Sequence, residues 1–256
     1  MAVFVRALAT KHGLEGLIDV ASEGISGAVS GATEALNAFE LALTSEAQFD
    51  NSFAGMAFKR TACKSRPFHS LRVSHAAELI KIGLDDETNK TVDATVPHGV
   101  SLNPAEWREL LASDDVVVID NRNSFEFALG RFKGAIDPEV AHYRDFPKFI
   151  EANLPTWKAE GKRVAMYCTG GIRCEKTAAW MDKLDTTVYT LEGGIINYLA
   201  AMPDAEKDWT GECFVFDNRI ALDAKLAETD TDIEDVYDEQ RDGAWRIERA
   251  KRLAGR

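Results

Sequence analysis

Met166-Tyr167-Cys168-Thr169-Gly170-Gly171-Ile172-Arg173-Cys174-Glu175-Lys176 decides the fold. The apolar run before it, Arg163 to Tyr167, reads as a core strand that ends at Cys168. A glycine turn follows, then a helix-like stretch from Cys174 through Met181, with the helix itself expected over Glu175 to Leu184. A strand end, a glycine turn and a helix start together present a nucleophile to an anionic ligand. Backbone N–H groups in the turn converge as a nest. The helix N-terminus adds partial positive charge, and Arg173 adds a full one. All three favour the thiolate, which is the reactive form of cysteine. Most cysteines at strand ends are small buried hydrophobes. The spacing Cys-x-x-Gly-x-Arg over Cys168 to Arg173 is what lifts Cys168 above that reading.

Outward from this stretch, strands and helices alternate. Pro104 to Leu111 reads as a helix capped by Asn103, with Pro104 at its first position. Val116-Val117-Val118-Ile119-Asp120 is a continuous apolar run, the pattern of a parallel strand buried on both faces. Helices are expected at Ser124 to Leu129, Pro147 to Leu154 and Ile195 to Met202, and a strand at Val188 to Leu191. This alternation gives an α/β domain with a parallel sheet over residues 101–222. Cys168 then lies at a strand's C-terminal end, where open α/β sheets place their sites.

Residues 1–91 read differently. A helix over Met1 to Lys11 precedes a strand at Leu17 to Val20, a turn at Glu23 to Gly27 and a return strand at Ala28 to Ser30. A second helix is expected over Glu34 to Leu43, then strands at Ala57 to Cys63 and Leu71 to Val73. This is most of a split β-α-β unit lacking its first strand, a small α+β domain of ferredoxin-like type. Residues 92–100, polar with Pro97 and Gly99, read as a linker. Residues 223–256 read as an acidic-then-basic tail, mobile or packed on the surface, with Val236, Tyr237, Trp245 and Ile247 able to anchor a terminal helix.

The net charge of −12 argues against indiscriminate nucleic-acid binding, yet the charge is uneven. Lys59, Arg60, Lys64, Arg66, Arg72 and Lys81 form a basic stretch in which Glu78 is the one acid. No apolar run approaches the roughly 18–20 residues of a membrane-spanning helix, and the first residues lack a signal-peptide pattern. Cys63, Cys168, Cys174 and Cys213 show neither disulfide-scaffold nor C-x-x-C spacing. A reducing, cytoplasmic setting follows. The histidines show no ligand spacing, so no metal is expected, and no glycine fingerprint after a strand points to a nucleotide cofactor.

Cys168 to Arg173 resembles the active-site loop of rhodanese-fold proteins, and the full stretch Met166 to Lys176 resembles the signature of the tRNA uridine hydroxylases of that superfamily. Other segments carry the same resemblance: Glu23 to Gly27, Asp120-Asn121-Arg122-Asn123, Phe132 to Ile136, Leu191 to Ile195, and Gly211 to Arg219. It runs from about Met1 to about Leu222. It implies a ferredoxin-like domain followed by a rhodanese domain, and oxygen-dependent hydroxylation of the wobble uridine of tRNA to 5-hydroxyuridine. Molecular oxygen is the implied co-substrate and tRNA the implied partner, with no obligate protein partner evident. Three departures stand out. The chain starts at the family's first helix rather than at a strand, Asn121 stands where Thr, Val or Met is usual, and the tail replaces a cysteine-rich segment.

The resulting site reading makes Cys168 the nucleophile, adding to uracil C6 so that C5 becomes part of an enolate. Thr169, Gly170, Gly171, Ile172 and Arg173 form the loop that stabilises the thiolate and a developing oxyanion. Cys174 is either a resolving thiol or a packing residue. Asp120 and Arg122 end the neighbouring strand and are expected at the same rim, as a structural pair or as substrate contacts. Lys59, Arg60, Lys64, Arg66 and Arg72, with Phe58 and Phe68 among them, are the expected RNA contacts. The generic loop alone supports an alternative, a sulfurtransferase carrying a persulfide on Cys168. A non-catalytic binding module has no need of the cysteine.

Overall fold

The two apolar runs read as buried parallel strands pair with each other in the computed structural model, which describes residues 1–237 and 245–248. β-Branched and other apolar side chains on both faces leave such strands no wet side, so helices must cover both. The chain divides into a first unit of Met1–Leu79 and a second that begins at Ile80.

In the first unit, α1 (Ala2–Lys11) leads into β1 (Glu15–Ala21) and β2 (Gly24–Ser30), followed by α2 (Thr33–Ser45) and β3 (Leu71–His75). β1 is central, antiparallel to β2 and parallel to β3. Gly24 to Gly27, expected as a turn, are part of β2, so the hairpin connection shortens to Ser22-Glu23. Val5, Leu8, Ile18, Val20, Phe39, Leu43 and Val73 make the core between helices and sheet. The strand expected at Ala57 to Cys63 does not form. Phe58 is the one large apolar side chain in that run, and its neighbours face water, so there is no alternating face to bury.

The second unit opens with α3 (Asp86–Lys90), β4 (Val100–Leu102) and α4 (Pro104–Leu111). β5 (Val116–Asp120), α5 (Ser124–Leu129), β6 (Gly130–Phe132), α6 (Phe146–Ala159) and β7 (Arg163–Tyr167) follow. α7 (Ile172–Asp182), β8 (Val188–Leu191) and α8 (Gly194–Ala201) complete the layered part. The sheet is all parallel, in the order β4-β8-β7-β5. Val117, Ile119, Val164, Met166 and Cys168 point to the α6 and α7 side. Val118, Ala165 and Tyr167 point to the α4 and α8 side. The Asn103 cap forms as expected, with Oδ1 accepting from Ala105 and Glu106 N–H and the Glu106 carboxylate accepting from Asn103 N–H.

The domain boundary sits earlier than the linker reading places it. Ile82 and Val92 are buried in the core of the second unit, with Ile80, Leu84 and Ala94 against it. The division therefore falls at Leu79/Ile80 rather than at 91/92, because residues 80–94 anchor by apolar contacts. Part of the tail is packed. β9 (Trp209–Gly211), β10 (Cys213–Phe214) and β11 (Ala221–Leu222) lead to α9 (Ile233–Val236). Val236 and Tyr237 lie against Phe125 and Phe214. Residues 245–248 are helical, with Ile247 buried and Trp245 half exposed. Residues 238–244 and 249–256 of the expected tail lie outside the described residues. No helix among the described residues is long and apolar enough to cross a membrane.

Candidate active site

α7 begins at Ile172, three residues before the sequence-based start at Glu175, with Gly171 as its N-cap. Gly171 takes φ +103°, a backbone that side-chain-bearing residues rarely adopt. Arg173 and Cys174 thus belong to the first helical turn, and the helix N-terminus abuts Cys168 directly. Gly171 N–H donates to Cys168 Sγ at 3.1 Å. On the outer side, α8 turns the loop carbonyls away. Ile195 N–H donates to Cys168 O at 3.0 Å and Ile196 N–H to Thr169 O at 3.2 Å. A Cβ on Gly194, whose φ is +68°, would sit 2.4 Å from Cys168 O. That close approach is why a glycine stands there.

Cys168 is 1% exposed. Burial opposes its ionisation, but the Cys174 thiol, the Arg173 charge and the N–H groups of Cys174 and Gly171 hold it well below the usual thiol range. Cys174 moves the other way, pushed up by burial and by the adjacent Cys168. Two thiols whose environments drive their titrations apart divide into a thiolate and a proton-bearing partner. Asn121 Nδ2 lies 4.0 Å from Cys174 Sγ and donates to Thr177 Oγ1 at 2.9 Å. Tyr143 OH bonds Arg173 O at 3.0 Å and Thr177 Oγ1 at 2.9 Å, which ties the first turn of α7 to the segment before α6.

Arg173 does not reach into the loop as a free charge. Its guanidinium makes two 2.8 Å bonds to Glu126, which is fully buried on α5. Burial alone would raise the Glu126 carboxyl, but Arg173, Arg122 and the Asn123 N–H keep it below the usual carboxylate range. Glu126 also lies 3.4 Å from Thr169 Oγ1. Reasoning from sequence misses Glu126, Tyr143 and Thr177. The one signal for Glu126 is its place three residues after Asn123, which reads as an ordinary helix cap.

The other expected residues separate. Asp120 and Arg122 are buried and paired with each other at 2.8 and 2.6 Å. Arg122 also donates to Gly130 O and lies over the rings of Tyr167 and Trp209. Their expected place at the substrate rim is corrected by strand parity. Asp120 pairs in register with Tyr167 and shares its face, while Cys168, one residue on, faces the other way. In the first unit, Lys59, Arg60, Lys64, Arg66 and Arg72 are all exposed. Arg60 bonds Glu40 and Asn37, Arg66 bonds Glu15, and Arg72 lies 3.3 Å from Ser74 Oγ. Phe68 is buried, so it is not available for base stacking, and Phe58 is partly buried against the core.

Residues 103–201 match the family model of the rhodanese-like domain, and residues 1–79 match that of the UPF0176 acylphosphatase-like domain. A tRNA uridine(34) hydroxylase of Legionella pneumophila is 40% identical over 215 residues, covering 84% of this chain and 80% of that one. One from Synechococcus elongatus is 42% identical over 225 residues, covering 87% and 79%. The chain belongs to the tRNA uridine(34) hydroxylase family. A further member, from Mesorhizobium japonicum, is 38% identical over 223 residues, with 87% and 69% covered. For a member of this family, the thiolate cradle at Cys168 lies in the rhodanese-like part, and the exposed arginines and lysines lie in the acylphosphatase-like part.

Proposed function

We propose that this chain is a cytoplasmic enzyme that hydroxylates the wobble uridine of tRNA to 5-hydroxyuridine, with Cys168 as nucleophile. The observation that carries the reading is the buried Cys168 Sγ at the N-terminus of α7, which accepts from Gly171 N–H at 3.1 Å and is favoured as thiolate by the Cys174 thiol, the Arg173 charge and the loop N–H groups. Uracil C5 is a weak nucleophile. A bond from Sγ to C6 makes C5 part of an enolate, which then bonds to one atom of molecular oxygen, the co-substrate. A thiol reductant that ends as a disulfide supplies two electrons and two protons, so the other oxygen atom leaves as water. Loss of the C5 proton and cleavage of the Sγ–C6 bond release the hydroxylated base and the thiolate. The N–H groups at the loop favour each anionic stage. Cys174, a thiol beside the thiolate, is placed to protect or resolve an oxidised Cys168. The exposed Lys59, Arg60, Lys64, Arg66 and Arg72 serve as phosphate contacts, because exposed ion pairs exchange partners at little cost.

The test measures 5-hydroxyuridine at the wobble position in cells lacking the gene, complemented with wild type or Cys168→Ala. Wild type restores it and Cys168→Ala does not. Full restoration by Cys168→Ala overturns the reading. A persulfide on Cys168 by mass spectrometry, with no effect on wobble-uridine hydroxylation, marks a sulfurtransferase instead.

A further inference from the structure

Phe216 is 59% exposed. Its position is built. Phe214 is buried against Phe125, with centroids 5.1 Å apart and the rings edge-on. Phe216 stands edge-on to Phe214 at 5.0 Å. Val215 N–H donates to Ile220 O at 2.9 Å, and Asp217 and Arg219 form a nearly buried ion pair just beyond. The backbone that carries Phe216 is thereby fixed from both sides. The ring centroid lies 5.8 Å from the guanidinium carbon of Arg173, the last residue of the Cys168 loop. An aromatic ring is thus held in place, open to solvent, at the loop that holds the thiolate.

We propose that Phe216 is a positioning residue on which the target base stacks before its C6 meets Cys168 Sγ, an inference that rests on the tRNA reading above. Cys168 is buried, so a base must leave its neighbours to reach it, and an unpaired loop base does so at low cost. A flipped base loses stacking on both faces, and an aromatic side chain restores one of them. Stacking tolerates any base, so Phe216 contributes affinity and orientation while the loop decides the chemistry. The exposed ring and its clamped backbone are pre-organised for this role.

The experiment measures binding of the full chain to two anticodon stem-loops, one with uridine and one with an abasic site at the wobble position. Phe216→Ala is expected to weaken the uridine hairpin about 10-fold or more and to leave the abasic hairpin unchanged. Phe216→Trp is expected to restore binding. Equal losses on both hairpins, or no loss on either, overturn the inference. So does a change in the iodoacetamide reactivity of Cys168 in Phe216→Ala, which would indicate a structural role. Complementation with wild type separates the two levels: restored 5-hydroxyuridine with no effect of Phe216→Ala on hairpin binding fails the stacking inference alone. No restoration by wild type fails the tRNA reading as well.

Discussion

Two arginine–carboxylate pairs lie buried at the C-terminal end of the same parallel sheet, with near-identical geometry. Asp120 and Arg122 are two residues apart and close at 2.6 Å; Glu126 and Arg173 are 47 apart and close at 2.8 Å. The first pair lies on the Tyr167 face and fastens Gly130. The second joins α5 to the first turn of α7 and lies beside the thiolate. Chemistry does not distinguish them. Position relative to the pleat does, since alternate residues of a strand serve opposite faces. One pair pins the scaffold, and the other sets the electrostatics of the site.

The sharpest way to break this contrast is to neutralise one carboxylate of each pair. Glu126→Gln and Asp120→Asn each leave a buried guanidinium uncompensated and are expected to cost about 3–5 kcal/mol of stability, read by urea denaturation. Only Glu126→Gln is expected to move the pH profile of Cys168 alkylation. It moves it downward, because an uncompensated Arg173 charge favours the thiolate. Equal movement in both variants would dissolve the distinction. In wild type the same profile is expected to lie below the ordinary thiol value of about 8.5, because Cys174, Arg173 and the loop N–H groups lower the thiol. The folded-state value of Cys168 is the depressed one. Its stabilising contribution is therefore complete above about 8.5 and is lost as pH falls toward the depressed value. Cys213, pushed up to about 12 by burial, provides the internal comparison and stays unmodified.

A second, smaller effect compares two glycines of nearly equal φ. Gly194 at +68° sits against Cys168 O and Thr169 O, whereas Gly161 at +66° has nothing within 4 Å. Gly161→Ala carries only the cost of an unfavourable φ, about 1 kcal/mol. Gly194→Ala adds a clash with the loop backbone and is expected to cost about 3 kcal/mol. It should also slow hydroxylation, measured as 5-hydroxyuridine formed per unit of folded protein. If the two variants behave alike, α8 does not shape the loop.

The smallest effect concerns the exposed charges of the first unit. Replacing Lys64 and Arg66 by Glu is expected to weaken tRNA binding. The slope of log affinity against log salt should fall by about 1 for each phosphate no longer neutralised. Stability should change little, because exposed ion pairs contribute little. An unchanged slope would remove these residues from the RNA interface and leave recognition to the second unit.

Much of the second unit is legible because its strands are continuous apolar runs and its helices carry capping signals. Val116 to Asp120 and Arg163 to Tyr167 form as read, and Asn103 caps α4 as read. The run Ala57 to Cys63 misleads because Phe58 and Thr61, the strand-favouring residues in it, have no alternating buried face to hold a ladder. The linker misleads because its apolar residues are scattered among polar ones, and the burial of Val92, where Val96 and Val100 stay exposed, depends on a core built from residues distant in the chain. In the site, Glu126 is invisible for the same reason. A carboxylate at the third position of a helix satisfies a local rule, and its long-range partner Arg173 leaves no mark in the local pattern.

The sequence by itself determined that Cys168 ends a buried strand, that glycines bend the chain after it and that a helix follows, because these are local properties of apolar runs and backbone freedom. Only the tertiary structure decided which charges surround the thiolate. Arg173 is clamped by Glu126 yet still lies beside the thiolate, Arg122 is turned to the opposite face, and the Cys174 thiol, the Arg173 charge and the N–H groups of Cys174 and Gly171 together hold the thiolate. Those outcomes depend on strand register and on contacts between residues far apart in the chain, and neither is encoded in the spacing of residues within one segment.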